Sequence, residues 1–311
     1  MKVLITGGAG FIGSHVADAY LAQGAEVVVV DDLSSGRREN LDRQARLVEM
    51  DIRRPEVVGL IASERPDVVN HHAAQIDVRR SVADPGLDAS INVLGALNVL
   101  EGARAAGVSR FVYASSGGAV YGEPVELPCR EDHPIRPICP YGATKHALEH
   151  YLEMYFTLYG LPYSILRYAN VFGPRQDPFG EAGVVAIFTA KMLAGEELVV
   201  NGDGEQTRDF VYVEDVARAN LLATQLGQAC GTFNIGTGVA TSINQVFDHL
   251  RRATGYRPAP AHGPAMHGET RHIYLDCRQA AQVLGWRPEV DLAEGLGRTV
   301  ESLRVAGASH A

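Results

Sequence analysis

The sequence predicts an α/β fold in which a doubly wound parallel Rossmann sheet carries a smaller mixed α/β substrate domain. In the first half of the chain, short apolar runs such as Lys2–Thr6 and Glu26–Asp31 alternate with longer helical patterns. The runs are apolar throughout, which is typical of strands that are covered on both faces. Successive runs begin about 20–30 residues apart, a spacing that suits strand–helix units.

Six strands and four helices are expected before residue 170. The strands are predicted at Lys2–Thr6, Glu26–Asp31, Leu47–Asp51, Asp67–Asn70, Phe111–Ser115 and Ser164–Tyr168. The helices are predicted at Phe11–Gln23, Pro55–Arg65, Ile91–Ala106 and Tyr141–Tyr159. Proline at a first turn and glycine after a last turn support several of these limits.

The alternation of strands and helices ends near Asn170. The segment Gly173–Gly183 is rich in glycine, proline and charge, and turn signals follow at Asn201–Gly204 and Arg257–Gly268. We therefore predict a first domain at residues 1–168 and a second, smaller domain at residues 169–311. The strand-like Thr232–Asn234 suggests that the chain returns to the first domain near residues 210–236.

The amino-acid composition disfavours several classes of function. The 311 residues include 28 Lys and Arg against 37 Asp and Glu, so the net charge is −9, which disfavours a nucleic-acid partner. A small phosphate-bearing ligand needs only a local site and stays compatible with this charge. The four cysteines show no metal-binding spacing, and no apolar run approaches the ~18 residues of a membrane span. We expect a cytoplasmic protein with no membrane association and no metal.

A glycine-rich segment, GGAGFIG, joins the first strand to the first helix. Gly7, Gly10 and Gly13 allow a tight turn and a close approach of backbone to a pyrophosphate at the helix N-terminus. Asp31 ends the second strand, where a carboxylate accepts hydrogen bonds from the ribose of NAD, and the adjacent Asp32 could share that role. The context favours an NAD site over a glycine-rich turn with a capping acid.

A serine, a tyrosine and a lysine form a second pattern. Ser116 closes the fifth strand, and Tyr141 and Lys145 lie one turn apart on one face of the next helix. A tyrosine with a pKa of about 10 is a poor base at neutral pH. A nearby ammonium and a nicotinamide ring are expected to lower the pKa of Tyr141. The alternative is an exposed helical pair without chemistry.

Taken together, these motifs resemble the extended short-chain dehydrogenase/reductase family, and within it the nucleotide-sugar epimerases typified by UDP-glucose 4-epimerase. The resemblance runs from Thr6 to Trp286. It rests on the motifs GGAGFIG, DDLSSG, HHAAQ, NVLG, VYG, YGATK, LRYANVFGPRQ, RDFVYVEDV and GET. It implies an NAD-dependent isomerase of galactose metabolism that epimerises a UDP-hexose at C4, converting UDP-glucose and UDP-galactose through a 4-keto sugar.

The resemblance also implies roles for individual residues. Tyr141 is the base, with Lys145 and Ser116 as catalytic partners. The cofactor contacts are Gly7, Gly10, Phe11, Ile12, Gly13, Asp31, Asp32, Asp51, Ile52, Ala73, Ala74, Gln75, Asn92, Ser115, Tyr141, Lys145 and Tyr168. The substrate contacts are Asn170, Val184, Arg208 and Glu269. A homodimer formed by two helices from each subunit is also implied.

The sequence departs from the family pattern at three positions. Gly117 stands where a serine or threonine is usual, Met266 where an arginine often binds the diphosphate, and Ile273 at the substrate gate. Ser116 and Arg271 are the possible replacements at the first two. Decarboxylation, dehydration or epimerisation of UDP-glucuronate or UDP-GlcNAc stays open, as does an NAD-binding sensor without catalysis. Arg208 could also form a surface ion pair with Asp209.

Overall fold

The computed structural model describes residues 1–179, 183–265 and 270–308. Its strands, in chain order, are β1 (Lys2–Thr6), β2 (Glu26–Asp31), β3 (Arg46–Glu49), β4 (Val68–His71), β5 (Arg110–Ser116), β6 (Tyr163–Tyr168), β7 (Asn170–Phe172), β8 (Val199–Asn201), β9 (Thr207–Arg208), β10 (Phe210–Tyr212), β11 (Gly231–Ile235), β12 (Thr241–Ser242) and β13 (Ala261–Gly263). The α-helices are α1 (Phe11–Ala22), α2 (Glu56–Glu64), α3 (Val78–Ala83), α4 (Pro85–Ala89), α5 (Ala96–Ala106), α6 (Pro140–Tyr159), α7 (Val184–Ala194), α8 (Val213–Thr224), α9 (Ile243–Thr254) and α10 (Leu292–Ala308).

Seven of these strands form one parallel sheet in the order β11-β6-β5-β4-β1-β2-β3. The predicted doubly wound sheet is confirmed. The six strands expected from the sequence are all present, with limits that differ by one or two residues. β11 pairs with β6, so the chain does return to this sheet after residue 170. The proposed division at residues 168 and 169 stays a prediction.

Both faces of the sheet are covered, which explains why its strands are apolar throughout. In β2, the side chains of residues 27–30 are at most 1% exposed. One face packs on α1 and α8 through residues such as Val16 and Val216. The other face packs on α2, α5 and α6 through Ile61, Val99 and Leu148. Fully burying one such side chain contributes about 1.5–3 kcal/mol, so the covered sheet is the main source of stability.

The helix predicted at Ile91–Ala106 begins earlier than expected. The chain is already helical in α4, then follows a π-helical segment at Ser90–Gly95 before α5. Asp84 caps α4 by accepting from the N–H of Leu87 at 2.9 Å. The predicted helix includes the π segment from Ile91 onwards but not α4, because Pro85 and Gly86 at its start are poor helix formers.

The second half of the chain forms smaller units. β10 pairs with β7, β12 with β9 and β13 with β8, each as a two-stranded sheet. A separate apolar cluster joins α7, α9 and α10, with Phe188, Phe247 and Leu296 among its buried residues. This region lies after the carboxyl end of β6, which is the edge of the sheet where ligands bind in open α/β folds.

Candidate active site

The glycine-rich loop leaves β1 and enters α1 by a turn that excludes side chains. Gly7 has a φ of +69°, and a β-carbon there would lie 2.5 Å from the backbone nitrogen of Ala73. A β-carbon at Gly13 would lie 2.2 Å from the carbonyl oxygen of Gly7. The first N–H groups of a helix have no intrahelical acceptor. Phe11 and Ile12, at the start of α1, therefore present backbone donors at a surface that fits a pyrophosphate.

Asp31 lies at the carboxyl end of β2 and is 7% exposed. Its carboxylate accepts from the N–H groups of Ala9 and Leu33, each at 2.9 Å. Burial raises the pKa of Asp31, and these two hydrogen bonds oppose that rise. Asp32 is exposed and accepts from the N–H and hydroxyl of Ser34. The buried Asp31 is therefore the better placed of the two for a ribose at the glycine loop.

Two further predicted cofactor residues follow β3. Asp51 forms a fork with the Arg53 guanidinium, and that hydrogen bonding lowers the pKa of Asp51. Ile52 is 5% exposed, and its side chain would lie 2.8 Å from a β-carbon at Gly95. These residues therefore lie beside the π segment, at the same edge of the sheet as Asp31.

The loop after β4 contains Ala73, Ala74 and Gln75. Ala73 donates its N–H to the carbonyl oxygen of Thr6 at 3.0 Å, which joins this loop to the end of β1. Asn92, in the π segment, exchanges two hydrogen bonds with the backbone of Gln75, at 2.8 and 2.9 Å. The amide of Asn92 therefore holds the loop in place, a role that the sequence did not indicate.

Tyr141 lies in the first turn of α6, and its phenol is hydrogen-bonded to the hydroxyl of Ser116. Burial raises the pKa of Tyr141 to about 12, and the hydrogen bond with Ser116 opposes this rise. The expected lowering of the Tyr141 pKa depends on a bound nicotinamide ring and stays a prediction; in the chain itself, burial disfavours the phenolate more than its neighbours stabilise it. Ser116 does take the position beside the tyrosine that was in doubt.

Lys145 lies one turn after Tyr141 and is 4% exposed. Its Nζ donates to the carbonyl oxygen of Ala114 at 2.8 Å and lies 5.9 Å from the centre of the Tyr141 ring. Burial lowers the pKa of Lys145 to about 8, and two nearby carboxylates, Asp88 and Glu149, oppose this lowering. The alternative that Tyr141 and Lys145 form an exposed pair on the helix surface is thereby excluded, since both side chains face the end of β5.

The residue at position 117 is glycine because of the packing around it. A β-carbon at Gly117 would lie 2.6 Å from a methyl group of Leu275, which is 1% exposed. Ile273 belongs to the same buried cluster and is 3% exposed. The two departures from the family pattern at Gly117 and Ile273 therefore belong to one apolar contact region.

A buried ion pair lies behind these catalytic groups. The Arg167 guanidinium donates to both carboxylate oxygens of Glu149, at 3.0 and 2.6 Å, and Ser115 donates its hydroxyl to Glu149 at 2.6 Å. Burial raises the pKa of Glu149, but hydrogen bonds from His146, Arg167 and Ser115 bring it down to about 2. Ser115, predicted to contact the cofactor, therefore directs its hydroxyl into this pair. The sequence analysis missed Glu149 and Arg167.

Tyr168 ends β6 and is 5% exposed. Its ring stacks on His72 with a centroid distance of 6.2 Å, and its hydroxyl accepts from the amide of Asn220 at 2.8 Å. The residue predicted to lie beside the nicotinamide is therefore held from two sides, at the strand end next to Ser116.

The structure places two predicted substrate residues on neighbouring segments. Asn170 donates its N–H to the carbonyl oxygen of Asp209 at 2.8 Å, and its side-chain oxygen lies 3.8 Å from the β-carbon position of Gly118. Arg208 precedes Asp209 and is partly buried. Asp209 is 2% exposed and accepts from the N–H and hydroxyl of Thr237, each at 2.7 Å. Asp209 is therefore buried and hydrogen-bonded to Thr237, so it does not form a surface ion pair with Arg208.

The other predicted substrate residues are less defined. Val184 is the first residue of α7 and packs against the apolar cluster of the second half. Arg271 forms a fork with Asp203, at 2.9 and 2.7 Å, on the protein surface. Met266 and Glu269 lie outside the described residues.

The chain is similar to known proteins along nearly its whole length. The model of the NAD dependent epimerase/dehydratase family matches residues 3–236. The chain belongs to this family. A UDP-glucose 4-epimerase of Mycolicibacterium smegmatis is 48% identical over 309 residues, covering 98% of this chain and 99% of the relative.

Solved structures of this family agree in fold along the whole chain. The UDP-glucose 4-epimerase of Thermotoga maritima with UDP-glucose has a TM-score of 0.95 and 50% identity, covering 98% of this chain and 99% of that one. The UDP-glucose 4-epimerase of Thermus thermophilus, in complex with NAD, has a TM-score of 0.92 and 44% identity, covering 98% and 100%. The predicted family, its Rossmann fold and its cofactor NAD are thus supported independently of the motifs.

Three further features concern membrane spans, cysteines and metal ligands. Across the described ranges, no helix is long and apolar enough to cross a membrane. The cysteines Cys129, Cys139, Cys230 and Cys277 are all free thiols. In those same ranges, no group of three or more histidine, cysteine or acidic side chains is arranged to hold a metal ion.

Proposed function

We propose that this member of the epimerase/dehydratase family is a UDP-glucose 4-epimerase, an isomerase that inverts C4 of UDP-glucose and UDP-galactose. One observation carries the proposal: Tyr141, Ser116 and Lys145 meet at the end of β5, at the same edge of the parallel sheet as the glycine loop and Asp31. The relative from Mycolicibacterium smegmatis and the solved structure from Thermotoga maritima, both named as this enzyme, support the choice of substrate.

Separate groups of residues bind the cofactor and the sugar nucleotide. Phe11, Ile12 and Asp31 hold NAD at the glycine loop. When bound, NAD supplies a reversible hydride acceptor, which is the chemistry that inversion through a 4-keto sugar requires. Asn170 and Arg208 hold the diphosphate of the sugar nucleotide, and a guanidinium suits that task because its donors form a planar fork.

Tyr141 moves the proton of the sugar 4-hydroxyl. Its high pKa in the chain itself means that it needs positive charge nearby to act as a base near neutral pH. Lys145 supplies one such charge, and its pKa of about 8 keeps most of it protonated at pH 7. Ser116 donates to, or accepts from, the same phenol and so keeps the proton on a defined path.

The test is formation of UDP-galactose from UDP-glucose by the purified protein, followed by NMR. We expect Tyr141→Phe to lower kcat by about 10²–10⁴-fold, because the ring stays and only the proton-transfer group is lost. Tyr159→Phe is the matched control, since Tyr159 lies on the same helix and is 54% exposed. Wild-type turnover by Tyr141→Phe would contradict the proposal.

A panel of UDP-, dTDP- and GDP-sugars tests the choice of substrate in the same assay. Epimerisation confined to UDP-GlcNAc, or decarboxylation of UDP-glucuronate, would replace the proposed substrate while retaining the catalytic residues. No turnover of any sugar, with NAD still bound to the protein, would instead support a sensor.

We also propose that the protein is a cytoplasmic homodimer formed through α5 and α6. On α6, the apolar side chains of Phe156 and Leu158 are 40% and 67% exposed. The two helices are adjacent at this surface, because the Tyr155 hydroxyl donates to Glu101 of α5. Sedimentation equilibrium of the wild type and of Leu158→Glu tests the interface, and the variant is expected to shift towards monomer. The four free thiols support a reducing compartment.

A further inference from the structure

A buried carboxylate that the proposed mechanism does not use lies beside the catalytic helix. Asp88 is in α4 and is 0% exposed. Its Oδ1 accepts from the amides of Gln75 at 2.9 Å and Asn92 at 3.1 Å. Its Oδ2 accepts from the hydroxyl of Thr144 at 2.7 Å. These partners are donors, as an ionised carboxylate requires, and each of them is electrically neutral.

Asp88 differs in this respect from Glu149, the other buried carboxylate near Lys145. The Glu149 charge is matched by the Arg167 guanidinium at hydrogen-bond distance. Among the residues that the structure describes, no cationic side chain forms an ion pair with Asp88. A buried charge without a paired cation acts on charges further away, because little water screens it.

The position of Thr144 shows where that charge acts. Thr144 lies within the YGATK motif, between Tyr141 and Lys145. Its hydroxyl has one proton, which it donates to Asp88 at 2.7 Å, and its oxygen lies 3.1 Å from the carbonyl oxygen of Tyr141. Burial lowers the pKa of Lys145, and Asp88 is the strongest of the groups that oppose this. Asp88 also contributes to the raised pKa of Tyr141.

We propose that Asp88 is a positioning residue that holds the first turn of α6 through Thr144 and favours positive charge at Lys145 and at the nicotinamide ring. The proposal rests on the proposed function only for the identity of the reaction. In this proposal, the negative charge of Asp88 stabilises the positive charges of the Lys145 ammonium and of the nicotinamide ring.

The sign of the effect follows from the groups around Lys145. Its charged and titratable neighbours are Asp88, Glu149, Tyr113, Tyr141, His71 and His72. Burial holds the pKa of both histidines far below the ordinary value, so they are neutral at pH 7. Removing the charge of Asp88 lowers the pKa of Tyr141 and of Lys145, because both release their protons more easily without a nearby anion.

The first measurement compares the pH dependence of kcat in the wild type and in Asp88→Asn. We expect both limbs of the profile to move to lower pH by about one unit, a tenfold change in each proton affinity. A residue that only stabilises the fold would lower kcat without moving the profile. Thr144→Val is the matched control, since it removes a hydrogen bond to Asp88 and leaves the charge, and its profile should stay in place.

The second measurement needs no sugar turnover. The nicotinamide of the purified holoenzyme is equilibrated with a redox dye of known potential, and its reduced fraction is read by absorbance. We expect Asp88→Asn to shift this equilibrium about tenfold towards the reduced cofactor, because the oxidised ring carries the positive charge that Asp88 favours. Thr144→Val should behave as the wild type.

Asp88→Ser is the second neutral variant, for use where Asp88→Asn does not fold, and it has the same expected shifts. A folded neutral variant with the pH profile and reduction equilibrium of the wild type would overturn the proposal. Absence of epimerase turnover in the wild type would instead overturn the proposed function, while the reduction equilibrium would still test Asp88.

Discussion

Each half of the candidate site contains an ion pair between an arginine and a carboxylate, but one pair is buried and the other is exposed to solvent. In the cofactor half, the guanidinium of Arg167 and the carboxylate of Glu149 form a fork whose side chains are 6% and 3% exposed. In the second half, Arg271 and Asp203 form a similar fork whose side chains are 51% and 57% exposed. Both carboxylates have a pKa of about 2.

The pKa values of Glu149 and Asp203 are similar, but their causes differ, and so do their effects on stability. For Glu149, burial works against the charged form, and three hydrogen-bonding neighbours outweigh it. For Asp203, the hydrogen bonds of Arg271 act in water, where screening removes most of their effect on stability. The ion pair of the cofactor half is therefore buried at the end of the parallel sheet, whereas that of the second half lies on the surface among loops and two-stranded sheets.

The largest effect on stability is expected from Glu149→Gln. The variant leaves the Arg167 guanidinium buried without a counter-charge, which costs about 3–5 kcal/mol of the free energy of unfolding. Urea unfolding followed by circular dichroism measures it. Glu153→Gln is the matched control on the same helix, since the Glu153 side chain is 57% exposed. Equal unfolding midpoints for the two variants would show that the burial of Glu149 makes no difference to the free energy of unfolding.

The same comparison has a pH dependence. The pKa of Glu149 falls from an ordinary value of 4.5 to about 2 on folding, so its contribution is present above pH 4.5. That contribution is lost as the pH falls from 4.5 towards 2. We expect the wild type to lose stability in this window and Glu149→Gln to lose less of it, in urea unfolding at a series of pH values. Parallel curves for both proteins would argue against the buried pair as the cause.

A smaller effect is expected at the glycine loop. In Gly13→Ala the new methyl group would lie 2.2 Å from the carbonyl oxygen of Gly7, so the loop must shift. We expect a loss of about 1–3 kcal/mol of stability and of the NAD that copurifies with the protein. Gly59→Ala in α2 is the control, because a β-carbon there meets nothing within 4 Å. It should retain NAD and gain about 0.4–1 kcal/mol.

The smallest effect is expected from Asp203→Asn. Its fork with Arg271 is exposed, so the unfolding midpoint should match the wild type within error, at low and at high salt. A midpoint that falls as far as that of Glu149→Gln would remove the contrast between the two halves. A rise in KM for the sugar nucleotide alone would indicate that Arg271 is positioned for the substrate by Asp203.

Much of the fold followed from pattern alone. The apolar strands and the glycine loop are local features. Six sheet strands were predicted with limits close to those observed, and the seventh was expected at Thr232–Asn234, within β11. The early start of the helix at Pro85 was missed, because Pro85 and Gly86 are poor helix formers. The rise of the Tyr141 pKa in the chain without cofactor was not foreseen, because the sequence does not report how completely a side chain is buried.

The sequence by itself determined the parallel sheet, the phosphate-binding turn, and the placement of Tyr141 and Lys145 on one helix face. Each of these depends on spacing along the chain, which a sequence states directly. Only the tertiary structure brought Glu149 to Arg167, Asp88 to Thr144, and Leu275 to the space above Gly117. These contacts join residues 18, 56 and 158 positions apart, so they form only when the fold brings distant parts of the chain together.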